Sequence, residues 1–580
     1  MQTMKSPDEK IRCLFVQPAF AKNSYWNYVD SCELIGAKTP APPLGLLTVA
    51  AIFPQHWEFR LLDLNAEEFN PTAWQWADMI CVGGMLPQQT GILEIINKAN
   101  REGKFVAVGG ADPSSQPAIY KNADALIVGE GETAIPDWIE AWRNGRPRGT
   151  FQAKERPDVT KTPVPRFDLL NFNNYNHIGV QYSRGCPFNC EFCDIIELYG
   201  RKPRTKTPEQ IVAELENLYQ LGYRGHIDLV DDNFIGNKRN VKLMLPQLIA
   251  WSKKRKYPYF YSTEASMNLA DDIKLLELMQ DADFRFVFMG IETPDPETLL
   301  MTQKSQNTMK PIVERIHKLY EYGIVATAGF IMGFDNEKSN ADQAMIRCIE
   351  DSGICMAMVG LLVALPNTQL TRRLAKEGRL ISFNGEVVKD GEVRHAAVQQ
   401  GATAEVVDQT VAGLNYVTTR DRVEILREFL NVVQTVYNPE RYFKRVRRTV
   451  RMLRGNGHHM KWGWELRREA KGAARLIAHM ARKPHLRGLF FRNLLEALFY
   501  GPKRFEFTMR LMGIYIHFEK QTAHITASIE KQIAECVANE MKFPRIIDVQ
   551  KRAAQSAVPA IPSVPVVPVD SLTDIGLHAG

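Results

Sequence analysis

Short apolar runs alternating with stretches of helical period fill the chain from residue 11 to about residue 372, and this rhythm constrains the fold more than any other sequence feature. Strands joined through helices assemble as parallel sheets, because a helical crossover brings the chain back in the same direction. In the first part the runs are 11–17, 59–63, 79–83, 105–108 and 125–128, with a helix at 90–101 between two of them. They predict an α/β, Rossmann-like, doubly wound sheet over 1–150. Glycine or small polar residues follow several runs: Gly83-Gly84, Gly109-Gly110 and Gly129-Glu130-Gly131-Glu132. These are strand carboxyl ends, where open α/β sheets bind ligands, and glycines there let a large ligand approach the backbone. The spacing is not GxGxxG, which argues against a nicotinamide site.

Residues 143–166 are rich in proline, glycine and charge, and 151–175 reads as a linker. A second α/β series follows, with apolar runs beginning near His177, His226, Tyr259, Phe286, Val325 and Met356, mostly 26 to 40 residues apart. Helices fit the gaps at 208–220, 270–280, 309–322 and 340–352. Six strand–helix units fall short of the eight of a closed barrel, so 176–372 is expected to form a partial, TIM-like (β/α)6 barrel. From about Arg373 the pattern is mostly helical, giving a helical, basic C-terminal domain over 373–552, within which 400–414 is ambiguous. Residues 553–580, rich in Pro, Val, Ala and Ser, read as a disordered tail.

With 45% hydrophobic and 24% charged residues over 580 positions, the chain has the composition of a globular protein with a sizeable core. A disordered chain, a collagen and a disulfide-stapled miniprotein are excluded. The longest clean apolar run, 355–366, has 12 residues, too short to span a bilayer. Residues 1–10 are polar and charged and lack the apolar core of a secretory signal. The expected compartment is the cytoplasm, with peripheral attachment at the inner membrane face left open. The net charge of +6 is uneven: residues 441–510 hold 19 Lys and Arg against 4 Asp and Glu, with Trp462, Trp464, Phe490, Phe491, Phe499 and Tyr500 among them. Such a stretch suits a membrane surface, an anionic substrate or nucleic acid, and equally a set of solvated helix faces with apolar backs.

Nine cysteines, an odd count without an export signal, argue against a disulfide framework. Six are scattered and read as buried thiols. The other three fall in Ser183-Arg184-Gly185-Cys186-Pro187-Phe188-Asn189-Cys190-Glu191-Phe192-Cys193, a CxxxCxxC spacing just past the first strand of the second series. Three thiolates on one short loop can ligate three irons of a cubane and leave the fourth open to substrate. A closed structural zinc site would want a fourth Cys or His nearby, and within ten residues there is only His177, which belongs to the preceding strand.

On this loop the sequence resembles the radical S-adenosylmethionine (radical SAM) enzymes. Phe192 matches the aromatic that precedes the third cysteine in that family, and the six-unit barrel matches too. Asp231-Asp232-Asn233 follows the second strand, where the family places polar groups for the methionine end of SAM. Glu264 ends the third strand and suits the ribose hydroxyls or the methionine end. Gly329, Ile331 and Gly333 match the family's GxIxG motif on the adenine side, and Pro366-Asn367-Thr368 ends the sixth strand as family members often show. Singly, each is what loop solvation or turn chemistry would place there; together, at successive strand ends, they favour one ligand site. The resemblance implies that Cys186, Cys190 and Cys193 hold a [4Fe-4S] cluster that passes one electron to the SAM sulfonium, giving a 5′-deoxyadenosyl radical.

The first domain looks like the cobalamin-binding domain of the B12-dependent radical SAM class, and residues 230–237 and 290–294 look close to the branch of hopanoid C-2 methylases. The resemblance implies cobalamin contacts from Met85, Gln88, Gly109, Gly110, Gly129, Glu130, Gly131 and Glu132. No Asp-x-His-x-x-Gly surrounds any of the twelve histidines, so cobalamin is expected base-off, without a histidine on cobalt, and loop 85–89 is the candidate for its lower face. Family membership implies a radical SAM C-methyltransferase that methylates an unactivated carbon of a hydrophobic small molecule, a hopanoid-like lipid or a tetrapyrrole, through methylcobalamin. An electron donor such as a flavodoxin or ferredoxin would serve it. A B12-dependent oxidase or cyclase without methyl transfer is the alternative. A tRNA methylthiotransferase would carry extra clustered cysteines in the first domain and a terminal β-barrel, so no nucleic-acid partner is expected; a bare iron–sulfur sensor would not need the first domain.

Overall fold

The structure, a computed structural model, describes residues 5–20, 24, 27–381, 408, 410–454, 457–459, 461 and 463–538. Its first sheet contains β1 (Arg12–Gln17), β2 (Glu58–Asp63), β3 (Met79–Gly83), β4 (Phe105–Gly109), β5 (Ala125–Val128) and β6 (Gly149–Gln152). All pairings are parallel, in the order β2-β1-β3-β4-β5-β6. The first five follow the flavodoxin-like 2-1-3-4-5 order. The period of two sends successive side chains to opposite faces. Cys13 and Phe15 join Phe53, Trp57, Trp138 and Trp142 on one face, while Leu14 and Val16 join Trp74, Ile92 and Tyr120 on the other. Burying each large apolar side chain is worth roughly 1.5–3 kcal/mol, which is why these runs read as uninterrupted apolar sequence.

The five predicted runs are all strands. The sixth strand was not foreseen: β6 carries mostly exposed residues, pairs only at the sheet's edge, and straddles the boundary drawn at residue 150. The linker assigned from 151 therefore begins inside the sheet, and its remaining length is pinned rather than loose. Val159, Phe167 and Tyr175 are buried, and the Arg166 amide donates to the Leu47 carbonyl (3.1 Å).

The second sheet opens with β7 (Ile178–Val180), followed by a small antiparallel pair, β8 (Ser183–Arg184) with β9 (Arg204–Thr205). It continues through β10 (Gly225–Leu229), β11 (Tyr259–Glu264), β12 (Phe284–Glu292), β13 (Val325–Met332) and β14 (Ala357–Leu361). The order β14-β13-β12-β11-β10-β7 is sequential and wholly parallel, a six-unit partial barrel. Its helices start where local chemistry dictates. At Pro208–Gln220, Thr207 Oγ1 accepts from the Gln210 amide (3.2 Å) and Gln210 Oε1 accepts from the Thr207 amide (2.9 Å), with proline at the first turn.

Helices Arg422–Val436, Pro439–Met452, Gly463–Ala481, Pro484–Leu498 and Pro502–Ala538 complete the described chain. They share one hydrophobic core with the barrel. They also reach back to the first domain's leading segment, where Arg468 donates to the Ile35 carbonyl (3.1 Å) and Arg475 to the Glu33 carbonyl (3.1 Å). Part of the basic surplus is therefore structural. Arg445 is buried, bonded to Glu350 (2.7 Å) and to the Val436 carbonyl (2.6 Å). No helix among the described residues is long and apolar enough to cross a membrane. Of the ambiguous stretch 400–414, residues 400–407 and 409 lie outside the described residues, as does the tail 553–580.

Candidate active site

The cysteine loop leaves β8 under the grip of two adjacent carboxylates at the end of β10. Asp231 accepts from the Tyr182 amide (3.3 Å) and closely from the Ser183 amide, and Asp232 accepts from the Gly185 amide (2.7 Å). Gly185 has φ +91°, and a Cβ there would stand 2.7 Å from the Gly200 carbonyl oxygen, so only glycine passes. Asp232 was expected to meet SAM; at least one of its oxygens instead holds the loop. Asn233 does face the sulfurs: its Nδ2 lies 3.7 Å from Cys186 Sγ and 3.2 Å from Ser266 Oγ.

Burial pushes all three thiols above their ordinary value, so they keep their protons until a metal replaces them. Among the described residues no three Cys, His, Asp or Glu side chains converge on a single ion. A cubane needs no such convergence, because each thiolate takes a different iron. Around the loop, buried polar atoms wait for partners: Ser183 Oγ, Gln306 Oε1 and Asn307 Oδ1 have none. Gln306 Nε2 meanwhile points at Cys190 Sγ (3.9 Å). The residues present thus fit a cluster on Cys186, Cys190 and Cys193.

A cation beside the loop escaped the sequence reading. Lys304 forms a buried ion pair with Glu292 and stands 5.7 Å over the ring of Phe192, which in turn lies 5.9 Å from Phe334. Burial alone would lower the Lys304 ammonium, but Glu292 overcomes it and holds it above its ordinary value. Residues 303–308 form an unpatterned polar turn, so Lys304 and Gln306 carried no signal beyond their polarity.

Glu264, at the end of β11, is pushed up to about 8 by burial and then by Asp228, Asp232 and Asp231. Asp231 stands at about 7 and Asp232 at about 6, burial again leading. Carboxylates gathered in low dielectric favour a donor-rich or cationic partner. The GxIxG glycines behave differently. A Cβ at Gly329 would stand 3.1 Å from the Phe288 ring, and one at Gly333 (φ +106°) would stand 2.4 Å from Leu414. Gly333 also donates to Glu337 (2.9 Å) and accepts from the Tyr416 hydroxyl (2.5 Å). Its need for glycine comes from the chain's own packing, while Ile331 stays half-buried.

In the first domain the strand-end glycines pack on one another. A Cβ on Gly110 would stand 2.9 Å from the Gly84 nitrogen, and one on Gly83 2.8 Å from the Gly109 oxygen. A Cβ on Gly129 (φ +89°) would stand 3.0 Å from Ala153 Cβ, and one on Gly131 3.0 Å from Ile135 Cδ1. Gln88 is buried, donating to the Pro18 carbonyl (2.6 Å) and accepting from the Met85 amide (3.1 Å), which removes its side chain from the expected cobalamin contacts; Met85 is exposed. His56 is the single histidine of residues 1–150. It precedes β2, away from the strand carboxyl ends, and contacts the Pro7 carbonyl (3.1 Å).

Glu130 and Glu132 also depart from expectation. Arg184, two residues before Cys186, donates to Glu132 from both terminal guanidinium nitrogens (2.7 and 3.0 Å) and to Glu130 from one of them (2.8 Å). Arg204 on β9 bonds Glu130 twice (2.8 and 3.0 Å). Their carboxylates are committed to the barrel. Asn367, past β14, donates to the Ser115 carbonyl (2.5 Å) of the first domain. The carboxyl-end face of the first sheet is thereby joined to the carboxyl-end face of the barrel.

Residues 34–139 match the B12 binding domain, 180–348 the Radical SAM superfamily, and 368–531 a domain of unknown function, DUF4070. An uncharacterized methyltransferase of Synechocystis sp. is 39% identical over 92% of this chain and 96% of its own length. The hopanoid C-2 methylase of Rhodopseudomonas palustris is 38% identical over 64% of this chain and 71% of its own. Among solved structures, the radical SAM methyltransferase TsrM of Kitasatospora setae, with cobalamin and a [4Fe-4S] cluster bound, superposes with TM-score 0.56 at 14% identity, covering 81% of this chain and 100% of TsrM. The cobalamin-dependent radical SAM enzyme OxsB superposes with TM-score 0.52 at 15% identity over 94% of this chain and 84% of its own. At such identities the superpositions speak to fold, and the sequence relatives carry the assignment. With a B12 binding domain joined face to face with a radical SAM barrel, the chain belongs to the cobalamin-dependent radical SAM methyltransferases that include the hopanoid C-2 methylase.

Proposed function

We propose that the protein methylates an unactivated carbon of a hydrophobic small molecule, a polycyclic lipid of the hopanoid kind ahead of a tetrapyrrole. The observation that carries this reading is the joining of the two strand-end faces by Glu130, Glu132, Arg184 and Arg204, which brings a cobalamin shelf and a cluster loop to one place. When bound, the cluster and SAM supply a carbon-centred radical oxidant and cobalamin supplies the methyl group. Cys186, Cys190 and Cys193 hold the cluster. Glu264 and Asn233 receive the polar groups of SAM, with Phe192 against the loop and Gly329 to Gly333 on the adenine side. Gly109, Gly110, Gly129 and Gly131 offer backbone to cobalamin, and Glu130 and Glu132 act on its site through Arg184 and Arg204. With His56 away from the strand ends, no histidine of residues 1–150 would reach cobalt, and exposed Met85 would lie at the cobalamin site. A flavodoxin or ferredoxin supplies electrons, and the protein works in the cytoplasm, in contact with the inner membrane face.

The lipid is favoured because the relatives named hopanoid C-2 and C-3 methylases, of Rhodopseudomonas palustris and Methylococcus capsulatus, are 38% and 25% identical to this chain. The test is anaerobic turnover of reconstituted protein with methyl-labelled SAM and a hopanoid extract. Label in a product one methylene heavier supports the reading. Deoxyadenosine formed with an unlabelled, oxidised product would instead make the protein an oxidase or cyclase. Absence of cobalamin binding would end both.

A further inference from the structure

Helix Pro484–Leu498 buries Leu486, Phe490, Asn493 and Ala497 against its neighbours. Its opposite side carries Phe491, Leu495 and Leu498, exposed by 36%, 60% and 60%, and the turn beyond it carries Phe499, exposed by 89%. Spacings of four and three put these residues on one stripe. A single exposed leucine needs no account, but a contiguous apolar stripe ending in a bare phenylalanine does.

The stripe is framed by unbalanced positive charge. Arg487 and Arg492 are exposed on the same helix. From helix Pro439–Met452, Arg447 and Arg451 share one carboxylate, Glu496, at 3.8 Å and in close contact respectively. Glu496 already accepts from the Tyr500 hydroxyl (2.5 Å). The Nη1 of Arg447 is buried with no partner. Burial, and then the neighbouring charge of Arg492, hold its guanidinium below its ordinary value.

We infer that this stripe and its arginines dock on an anionic bilayer, with Leu495, Leu498 and Phe499 entering the headgroup boundary and Arg451, Arg487 and Arg492 taking lipid phosphates. Apolar residues flanked by arginine are the composition of an interfacial helix. A second copy of the chain would bring the same positive surplus to the contact and be repelled, whereas an anionic lipid surface neutralises it. The inference deepens the proposed function and rests on its lipid substrate, because a hopanoid-like molecule is met at a bilayer.

The experiment is flotation of the full-length reconstituted protein with vesicles of phosphatidylcholine alone or mixed with phosphatidylglycerol, at low and high salt. The wild type should float with the mixed vesicles at least tenfold more than with the zwitterionic ones, and salt should weaken it, since screening shortens electrostatic reach to ~10 Å at 0.1 M. The double variant Leu498→Glu, Phe499→Glu should lose flotation while keeping its circular dichroism and iron content. Equal flotation of the variant, no lipid preference, or no flotation at low salt overturns the inference. A wild-type dimer that the variant converts to monomer also overturns it, in favour of self-association. Turnover in detergent separates the two readings: flotation without methylated lipid leaves docking and removes the function, and methylation without flotation does the reverse.

Discussion

Replacing Glu132 with glutamine should loosen the two domains without disturbing the cluster. Glu132 meets Arg184 at 2.7 and 3.0 Å in a pair of which only 11% and 12% of the side chains is exposed. Burial works against its ionisation, and Arg184 overcomes that, holding the carboxyl below its ordinary value. Two carboxylates face two guanidiniums here, so Glu132→Gln leaves one buried positive charge in excess. Removing one partner of a buried pair costs about 3–5 kcal/mol. The amide oxygen retains one hydrogen bond and Glu130 still reaches Arg184 at 2.8 Å, which brings the expected loss down to about 2 kcal/mol. If that energy holds the domains together, the separated state becomes about thirtyfold more populated. Limited proteolysis between residues 153 and 166 should accelerate by the same factor when reclosing outpaces cleavage. Iron content and SAM binding should stay at wild-type levels, and the ratio of deoxyadenosine to methylated product should rise. Unchanged proteolysis would refute the argument. So would iron lost in step with it, because Glu132 would then be folding the cysteine loop. A double-mutant cycle with Arg184→Gln should return a coupling energy of 1 kcal/mol or more, on the order expected for groups in contact.

Glu264→Gln should abolish SAM binding by calorimetry yet stabilise the SAM-free protein at alkaline pH. The carboxyl stands at about 8 against 4.5 in an unfolded chain, so the stability it contributes is complete below the unfolded value and lost as pH rises through 8, about 2 kcal/mol after allowance for partial exposure. The variant's Tm should therefore exceed wild type at pH 8 and converge with it in acid; a gain independent of pH would refute the assignment. Gly185→Ala should cost about 2 kcal/mol and most of the bound iron, because it adds a Cβ at positive φ against the Gly200 carbonyl; full iron loading would show that the crossing yields. Lys304→Met leaves Glu292 buried without its cation, so denaturant melts should lose about 3–5 kcal/mol, and the cluster potential should fall as a nearby positive charge is removed. An unmoved potential would place Lys304 outside the cluster's field.

β1, β3, β4 and β5 were legible because they are buried over nearly their whole length. β3 and β5 fall on the sequence-based bounds, and helix Pro208–Gln220 was marked by its capping box and first-turn proline. What escaped lacked those signals. β6 is an exposed edge, and helix Lys238–Lys254 holds Pro246 in its interior, where proline is read as a break. At the site, the cysteines stood out in the sequence because their chemistry lies in local spacing. The protein bonds of Asp232, Gln88, Glu130 and Glu132 could not be read from the sequence, because their partners, Gly185, Pro18, Arg184 and Arg204, lie 47 to 74 positions away. A carboxylate at a strand end looks the same in sequence whether it awaits a ligand or a guanidinium.

That ambiguity bears on how the two domains are held in register. The linker is tacked down at Val159, Phe167 and Tyr175, and the C-terminal helices fasten the leading segment through Arg468 and Arg475. The linker's ties reach the barrel beside β9, where Arg204 donates to the Pro157 carbonyl (3.0 Å). Closing a free segment of about twenty residues costs on the order of 2.7 kcal/mol beyond a constant, so such ties suffice to keep the domains together. They do not fix the strand-end faces against each other at the scale of an ångström, which methyl transfer between two bound groups demands. The pairs from Glu130 and Glu132 to Arg184 and Arg204 do, because Arg184 lies two residues from Cys186 and Glu130 sits in the glycine loop after β5. A carboxylate that merely touched cobalamin would add affinity for one ligand. Placed on Arg184, it sets the distance between the glycine loop after β5 and the cysteine loop.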